Sequence, residues 1–207
     1  SMALHCGNVA LGIIEEEVRT LAHKIAVTSD SDVDEAIIRV PFWQAQLLPH
    51  LQATLNLIGE SENAIILTGE VMDQDQLTKE AKATDNTLAS NSILINRYYL
   101  ATIFEEYEAA EACIPELIPI FGFASSRLHY NYWNLNFYRG LNCYGLFRIT
   151  KEKKYLRQAH RITKQLSKSH NLGYLNCTPM FLLLSAESKA LSEELEEAHK
   201  LYGRAIL

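Results

Sequence analysis

Apolar residues return at helical spacing along almost the whole of this chain, and nowhere do they alternate with polar residues over the length of a strand. Ile14, Val18, Leu21 and Ile25 stand at offsets of four, seven and eleven, which is one face of a helix. A half-buried strand needs a period of two, because its side chains point alternately to opposite faces. The pattern therefore predicts an all-α fold of about nine helices joined by short loops, packed as antiparallel neighbours.

Breaks in the pattern mark the helix ends. Leu48, Leu51, Leu55 and Ile58 form a stripe closed by Gly59, and 61–71 reads as a loop. Asp73 with Gln76 three residues on predicts a capping box, the carboxylate taking an orphan amide and the Gln side chain reaching back, before a short helix to Ala83. After Asp85-Asn86, Leu88, Ile95, Tyr99 and Ile103 carry the next helix, and Tyr107, Ala110, Ile114 and Leu117 another that Pro119 and Gly122 end. Tyr130, Trp133, Phe137 and Leu141 share one face, as do Tyr155, Ala159, Ile162 and Leu166. Beyond Gly173 an apolar helix surrounds Met180 to Leu184, and Ser192 is placed to cap the last helix with Glu193 and Glu194 in its first turn.

Composition excludes several classes. The 207 residues are 48% hydrophobic and 21% charged, enough to bury a core without disulfides or a structural metal. A net charge of −6 argues against a nucleic-acid or anionic-membrane binder. The uncharged run 40–59 is long enough to cross a bilayer, yet it holds Pro41, Gln44, Gln46, Pro49, His50, Gln52 and Asn56, so no membrane span is expected. Cys6, Cys113, Cys143 and Cys177 lie far apart without a C-x-x-C pair, which suits buried thiols in a reducing, cytoplasmic setting. Ser1-Met2 reads as a remnant of tag removal, and 3–207 as a single helical-repeat domain cut from a larger protein.

Chemistry is hard to find. No G-x-x-x-x-G-K-[ST], H-E-x-x-H or G-x-S-x-G string occurs, and the seven histidines include no i, i+4 pair. No catalytic residue, cofactor or metal site is expected. The acidic runs 15–17 and 193–197 spread round their helices as solvated faces. Thr68-Gly69-Glu70 reads as a structural turn pinned to the core by Ile65, Ile66 and Leu67.

Two segments stand out as interaction surfaces. Within 129–138, where aromatics and asparagines crowd together, Tyr132, Trp133 and Asn136 are candidates to line a concave surface or small-effector pocket. From Arg148 to Lys168 the chain carries eight of its 19 basic residues against one acid, Glu152. Lys153, Arg157, Arg161, Lys164 and Lys168 form one cationic stripe opposite the apolar one. That stripe either meets solvent, paired internally with the acidic last helix, or docks an acidic helix or a phosphorylated partner.

Ala198, Tyr202 and Ala205 match the second-helix pattern of tetratricopeptide repeats, and Tyr107-Glu108-Ala109-Ala110 is similar to their Y-x-x-A junction. The marker alanines Ala110, Ala159 and Ala198 are 49 and 39 residues apart, so the repeat is longer and looser than usual. A more specific resemblance rests on Pro49-His50-Leu51-Gln52-Ala53-Thr54-Leu55-Asn56-Leu57, Leu67-Thr68-Gly69-Glu70, Tyr99-Leu100-Ala101 through Tyr107-Glu108-Ala109-Ala110, Phe137-Tyr138 with Gly140-Leu141, and Ala186-Glu187 followed by 198–206. In this order they resemble the tetratricopeptide-like, MalT-like helical region of large multidomain signal-transduction ATPases. The resemblance covers residues 40–206 and implies a degenerate solenoid that couples flanking domains. It implies kinase-like and ATPase domains before it and a GAF sensor with a histidine kinase or other output module after it. ATP is then expected only in those flanking domains, and the partner is protein, either those domains or a signalling partner. The other functions open to the sequence are a small-effector sensor and a stand-alone helical adaptor.

Overall fold

A computed structural model describes residues 16, 20, 44–123 and 130–206 of the chain. Among the described residues the fold is all-α, with eight helices and no strand. They are α1 (Gln44–Ile58), α2 (Gln74–Ala83), α3 (Thr87–Ile103), α4 (Tyr107–Phe123), α5 (Tyr130–Thr150), α6 (Lys153–Asn171), α7 (Thr178–Leu191) and α8 (Leu195–Ile206). A short 3-10 turn, Leu175–Cys177, leads into α7. The stripe of Ile14, Val18, Leu21 and Ile25, together with Cys6, lies outside the described residues. No helix among the described residues is long and apolar enough to cross a membrane.

The chain divides into two compact units, Ser1–Phe104 and Glu105–Leu207. In the first, α3 packs against both α1 and α2, around a core that includes Ala53, Leu67, Leu77, Ala89, Ile93 and Leu100. Gly59 stops α1 with φ +87°, a conformation free of Cβ strain only for glycine. Asp73 caps α2, its Oδ1 accepting the Gln76 amide at 2.8 Å. The reciprocal half of the expected capping box is not made. Gln76 instead donates forward along the exposed face of the helix to Glu80 Oε1 at 2.9 Å.

The expected stripe on α3 also needs correction. Ile95 and Tyr99 are buried, but Leu88 is 51% and Ile103 44% exposed. Because two helices cover α3, its burial wraps several faces and takes in Ala89, Ile93, Asn96 and Leu100.

In the second unit α5 packs against α4, α6 and α7, and α8 packs against α7. Tyr155, Ala159, Ile162 and Leu166 are all buried, as their spacing predicts. On α5 Trp133 is buried while Phe137 and Leu141 are only half-buried, and Asn134, Leu135, Asn142, Cys143, Tyr144 and Leu146 are buried as well. A helix enclosed by three others has no single apolar face, so the one-stripe expectation fails there. The side chain of Tyr130 lies outside the described residues.

Helix α4 runs through Pro115 and Pro119 to Phe123 rather than ending at Pro119. Both prolines sit on its exposed side, where carbonyls that lose an i+4 donor can turn to water. Ser192 closes α7, its amide donating to the Ser188 and Lys189 carbonyls, and does not cap α8. Helix α8 starts from Glu194, whose carbonyl accepts the Ala198 amide at 3.0 Å, and carries Glu196 and Glu197 in its first turn.

Four joints share one backbone device. Asp85, Glu105, Lys151 and Glu193 each hold positive φ, between 50° and 63°, immediately after the residue that closes a helix or one step into the link. None is glycine, so each carries the steric cost of a Cβ in the left-handed region, about 1 kcal/mol.

Candidate functional site

The cationic stripe is built by the amphipathic logic of α6. The buried residues Tyr155, Ala159, Ile162, Leu166 and Ser169 fall on one side and anchor the helix to α5 and α7. Opposite them Lys153, Arg157, Arg161, Lys164 and Lys168 are all exposed. At about 100° per residue the five lie within an arc of about 80°, and at a rise of about 1.5 Å per residue they span about 22 Å. The N-terminal pair of arginines frames an open recess of about 310 Å³ lined by Arg157, Gln158 and Arg161.

The ion pairs of this unit lie elsewhere. Lys154 meets Glu152 at 2.7 Å, Lys189 meets Glu194 at 2.7 Å, Lys200 meets Glu197 at 3.7 Å, and Arg148 is paired with Glu187. Among the described residues no carboxylate lies in ion-pair range of any of the five stripe cations, so of the readings the sequence left open, internal pairing with the acidic last helix is not made. Of the acids around that helix, Glu197 pairs with Lys200 one turn on and Glu194 with Lys189 of α7.

The aromatic segment is turned inward. Trp133 is 7% exposed, with its ring edge-on to Tyr132 at 4.7 Å and tilted against Tyr174 at 5.5 Å. Tyr132 accepts a hydrogen bond from Gln165 of α6, and Asn136 donates to the Tyr132 carbonyl at 2.7 Å. Tyr132 and Trp133 thus fasten α5 to its neighbours, Asn136 bonds back within α5 itself, and the five cations of α6 stand together in solvent.

Two polar assemblies escaped the sequence. In the first unit Asn56, 2% exposed, donates from Nδ2 to the carbonyls of Asn63, Ala64 and Ile66 at 3.1, 3.2 and 2.8 Å. Gln52, fully buried one turn earlier, donates to Asn56 Oδ1 at 2.9 Å and accepts the Val71 amide at 3.3 Å. Thr68 Oγ1 accepts the Gln74 amide, and Gln74 Oε1 accepts the Leu67 amide. A Cβ on Gly69 would strike the Gln52 amide, so the glycine is needed for close approach. Thr68-Gly69-Glu70 is therefore a structural turn, held by α1 as well as by Leu67, while Ile66 is 39% exposed. Two amides at i, i+4 inside the uncharged run 40–59 were the available signal.

The second assembly joins four helices of the second unit. Glu187 of α7 takes Arg148 of α5 on one oxygen and the Tyr202 hydroxyl of α8, at 2.6 Å, on the other. The Tyr107 ring of α4 packs over Gly145, where any Cβ would collide with it. Burial and the adjacent Glu187 carboxylate push the Tyr202 phenol above its ordinary range.

No group of three His, Cys, Asp or Glu side chains among the described residues is placed to hold a metal ion. Cys113, Cys143 and Cys177 are buried and unbridged, and burial pushes the Cys143 thiol up to about 12, far from thiolate reactivity. His50 donates to or accepts from Ser92 at 3.2 Å in the first unit, its pKa pushed down to about 4 by burial.

No protein-family model, curated protein or solved structure matches this chain.

Proposed function

We propose that this chain is a non-catalytic helical-repeat module for protein interaction and regulation, working in the cytoplasm within a large signal-transduction ATPase, with the exposed face of α6 as its contact surface. The observation that carries the reading is the row of five cations with no carboxylate in ion-pair range among the described residues, on a helix whose other side is anchored in the core. Charge left unneutralised on a fixed scaffold favours an oppositely charged partner through on-rate and register. The motif resemblance adds support, because two of its parts, Pro49 to Leu57 and Leu67 to Glu70, lie against each other where Gly69 approaches the Gln52 side chain.

In this reading ATP and any phosphotransfer belong to flanking domains. The module acts by contact. Helices in a stacked solenoid touch mainly their neighbours, so a partner seated on one face biases the arrangement of the next element and of whatever follows it. The test starts from the gene, read several hundred codons to either side. An encoded ATPase domain is expected, and removing residues 44–206 from that longer chain should uncouple ATP hydrolysis or output from its control. A deletion whose ATP hydrolysis and output are still controlled as in the intact chain, or an open reading frame with no further domain, overturns the proposal.

A further inference from the structure

Resting on the module reading above, we infer that the α6 face recognises an acidic helix whose carboxylates repeat in register with its cations. The five charges recur at spacings of four, four, three and four residues, which keeps them in a nearly straight file with steps of about 6 Å along the axis. A single phosphate engages two neighbouring cations at most and leaves three of these unused. A flat anionic membrane favours a broad patch rather than a single file on a helix ridge, and the first unit, with six basic against fourteen acidic residues, repels such a surface. Single-stranded nucleic acid requires aromatic faces between the cations for its bases, and among the exposed positions flanking this file, Lys154, His160 and Asn171, the one ring, His160, is held edge-on to Tyr144 and bonded to Ser188.

A second helix laid along α6 meets the file with carboxylates at i, i+4, i+7 or i+8, and i+11, the same three-and-four spacing. Beyond Lys168 the chain exposes Leu172 at 65% and Leu175 at 71%, an apolar pair at one end of the cationic file. The partner chemistry that fits both features is an acidic helix with an apolar residue about one turn past its carboxylates, and the end of the file carrying the leucines sets its direction.

The experiment uses the full 207-residue chain and two labelled 18-residue peptides of identical composition, read by fluorescence anisotropy. One carries four glutamates at i, i+4, i+7 and i+11 with a terminal leucine. The other distributes the same glutamates evenly round the helix. The registered peptide should bind about tenfold more tightly at low salt and lose that advantage at high salt. Arg157→Glu with Arg161→Glu should abolish the preference, whereas Lys79→Glu with Lys82→Glu, an equal charge change on exposed α2 positions, should preserve it. Equal affinity for the two peptides overturns the inference, as does equal loss in the α2 variant. Phosphatidylserine vesicles or an oligothymidine strand that outcompetes the registered peptide overturns it in favour of another polyanion. Failure here removes the acidic-helix partner and leaves the module reading to the deletion experiment, whose failure is seen independently in the longer chain.

Discussion

Replacing Asn56 probes the first unit at the point where a helix holds a loop that has no regular structure. The side chain offers two N–H donors to three carbonyls and one oxygen to Gln52, at a site 2% exposed to solvent. Asn56→Ala removes about three hydrogen bonds at about 1 kcal/mol each, and strands the buried Gln52 amide, so a loss of about 3 kcal/mol is expected. Asn56→Asp is nearly isosteric but sets an oxygen against the same carbonyls. At neutral pH it should destabilise more than Ala, since a buried carboxylate then keeps one donor, Gln52, while its other oxygen faces the three carbonyls. Its folded pKa must rise above the unfolded value of about 3.9, so its deficit should shrink as pH falls toward that value and grow as pH rises through the folded pKa. Urea unfolding followed by circular dichroism gives the stabilities, and hydrogen exchange at the Val71 amide, which bonds to Gln52, reports the loop. A loss below about 0.5 kcal/mol in Asn56→Ala, with Val71 protection unchanged, would refute the argument that this amide fixes the loop.

Three further outcomes follow from the same geometry. Gly145→Ala should cost about 1–3 kcal/mol, because its methyl enters the Tyr107 ring, and Tyr107→Ala in the same chain should recover part of the loss in a double-mutant cycle read by thermal unfolding. His50 is neutral when folded, with its pKa at about 4 against 6.5, so stability is full above about pH 6.5 and falls as pH drops toward 4, by on the order of 3 kcal/mol. A His50→Gln variant should flatten that acid limb in urea titrations, and an unchanged limb would place the acid sensitivity elsewhere. The Tyr202 phenol is raised by burial and by Glu187, so the stability it contributes is present below pH about 10 and declines as pH rises beyond it. Tyr202→Phe should lessen that alkaline slope, seen as a thermal midpoint that falls less between neutral and strongly alkaline pH, the remainder coming from Tyr107, Tyr138 and Tyr144, whose phenols burial also raises.

What the sequence made legible depended on how many neighbours each helix has. On α6 both stripes were readable residue by residue, because that helix has a wet side and a dry side and the period of 3.6 separates them. On α5 and α3 contact on several sides buries Asn134, Asn142, Cys143, Asn96 and Tyr98 alike, so hydrophobicity no longer marks a face. Helix stops at Gly59 and Gly173 were visible because their positive φ calls for glycine, whereas the equivalent turns at Lys151 and Glu193 were hidden by charged residues in the same conformation. The capping signal at Asp73 was right for its carboxylate and wrong for Gln76, where an exposed Glu80 one turn on competes for the amide. Ser192 was misplaced by one helix end, since a hydroxyl residue between two helices fits the close of one as well as the start of the next. The cationic face was foreseen. Its lack of internal partners was not, because whether Glu193 to Glu197 reach across to α6 is a question of packing that spacing does not answer.

The three left-handed joints inside the units, at Asp85, Lys151 and Glu193, limit how neighbouring helices can swing. A link of two or three residues, one of them locked at positive φ, leaves few soft torsions between consecutive helices. Load applied along α6 therefore has no pivot at the Lys151 link about which to swing. It spreads as small sliding displacements across the packed faces of α5, α6 and α7, in the manner of a leaf spring and unlike a door. The stiffness of such a packet of helices is set by side-chain interlocking more than by its loops.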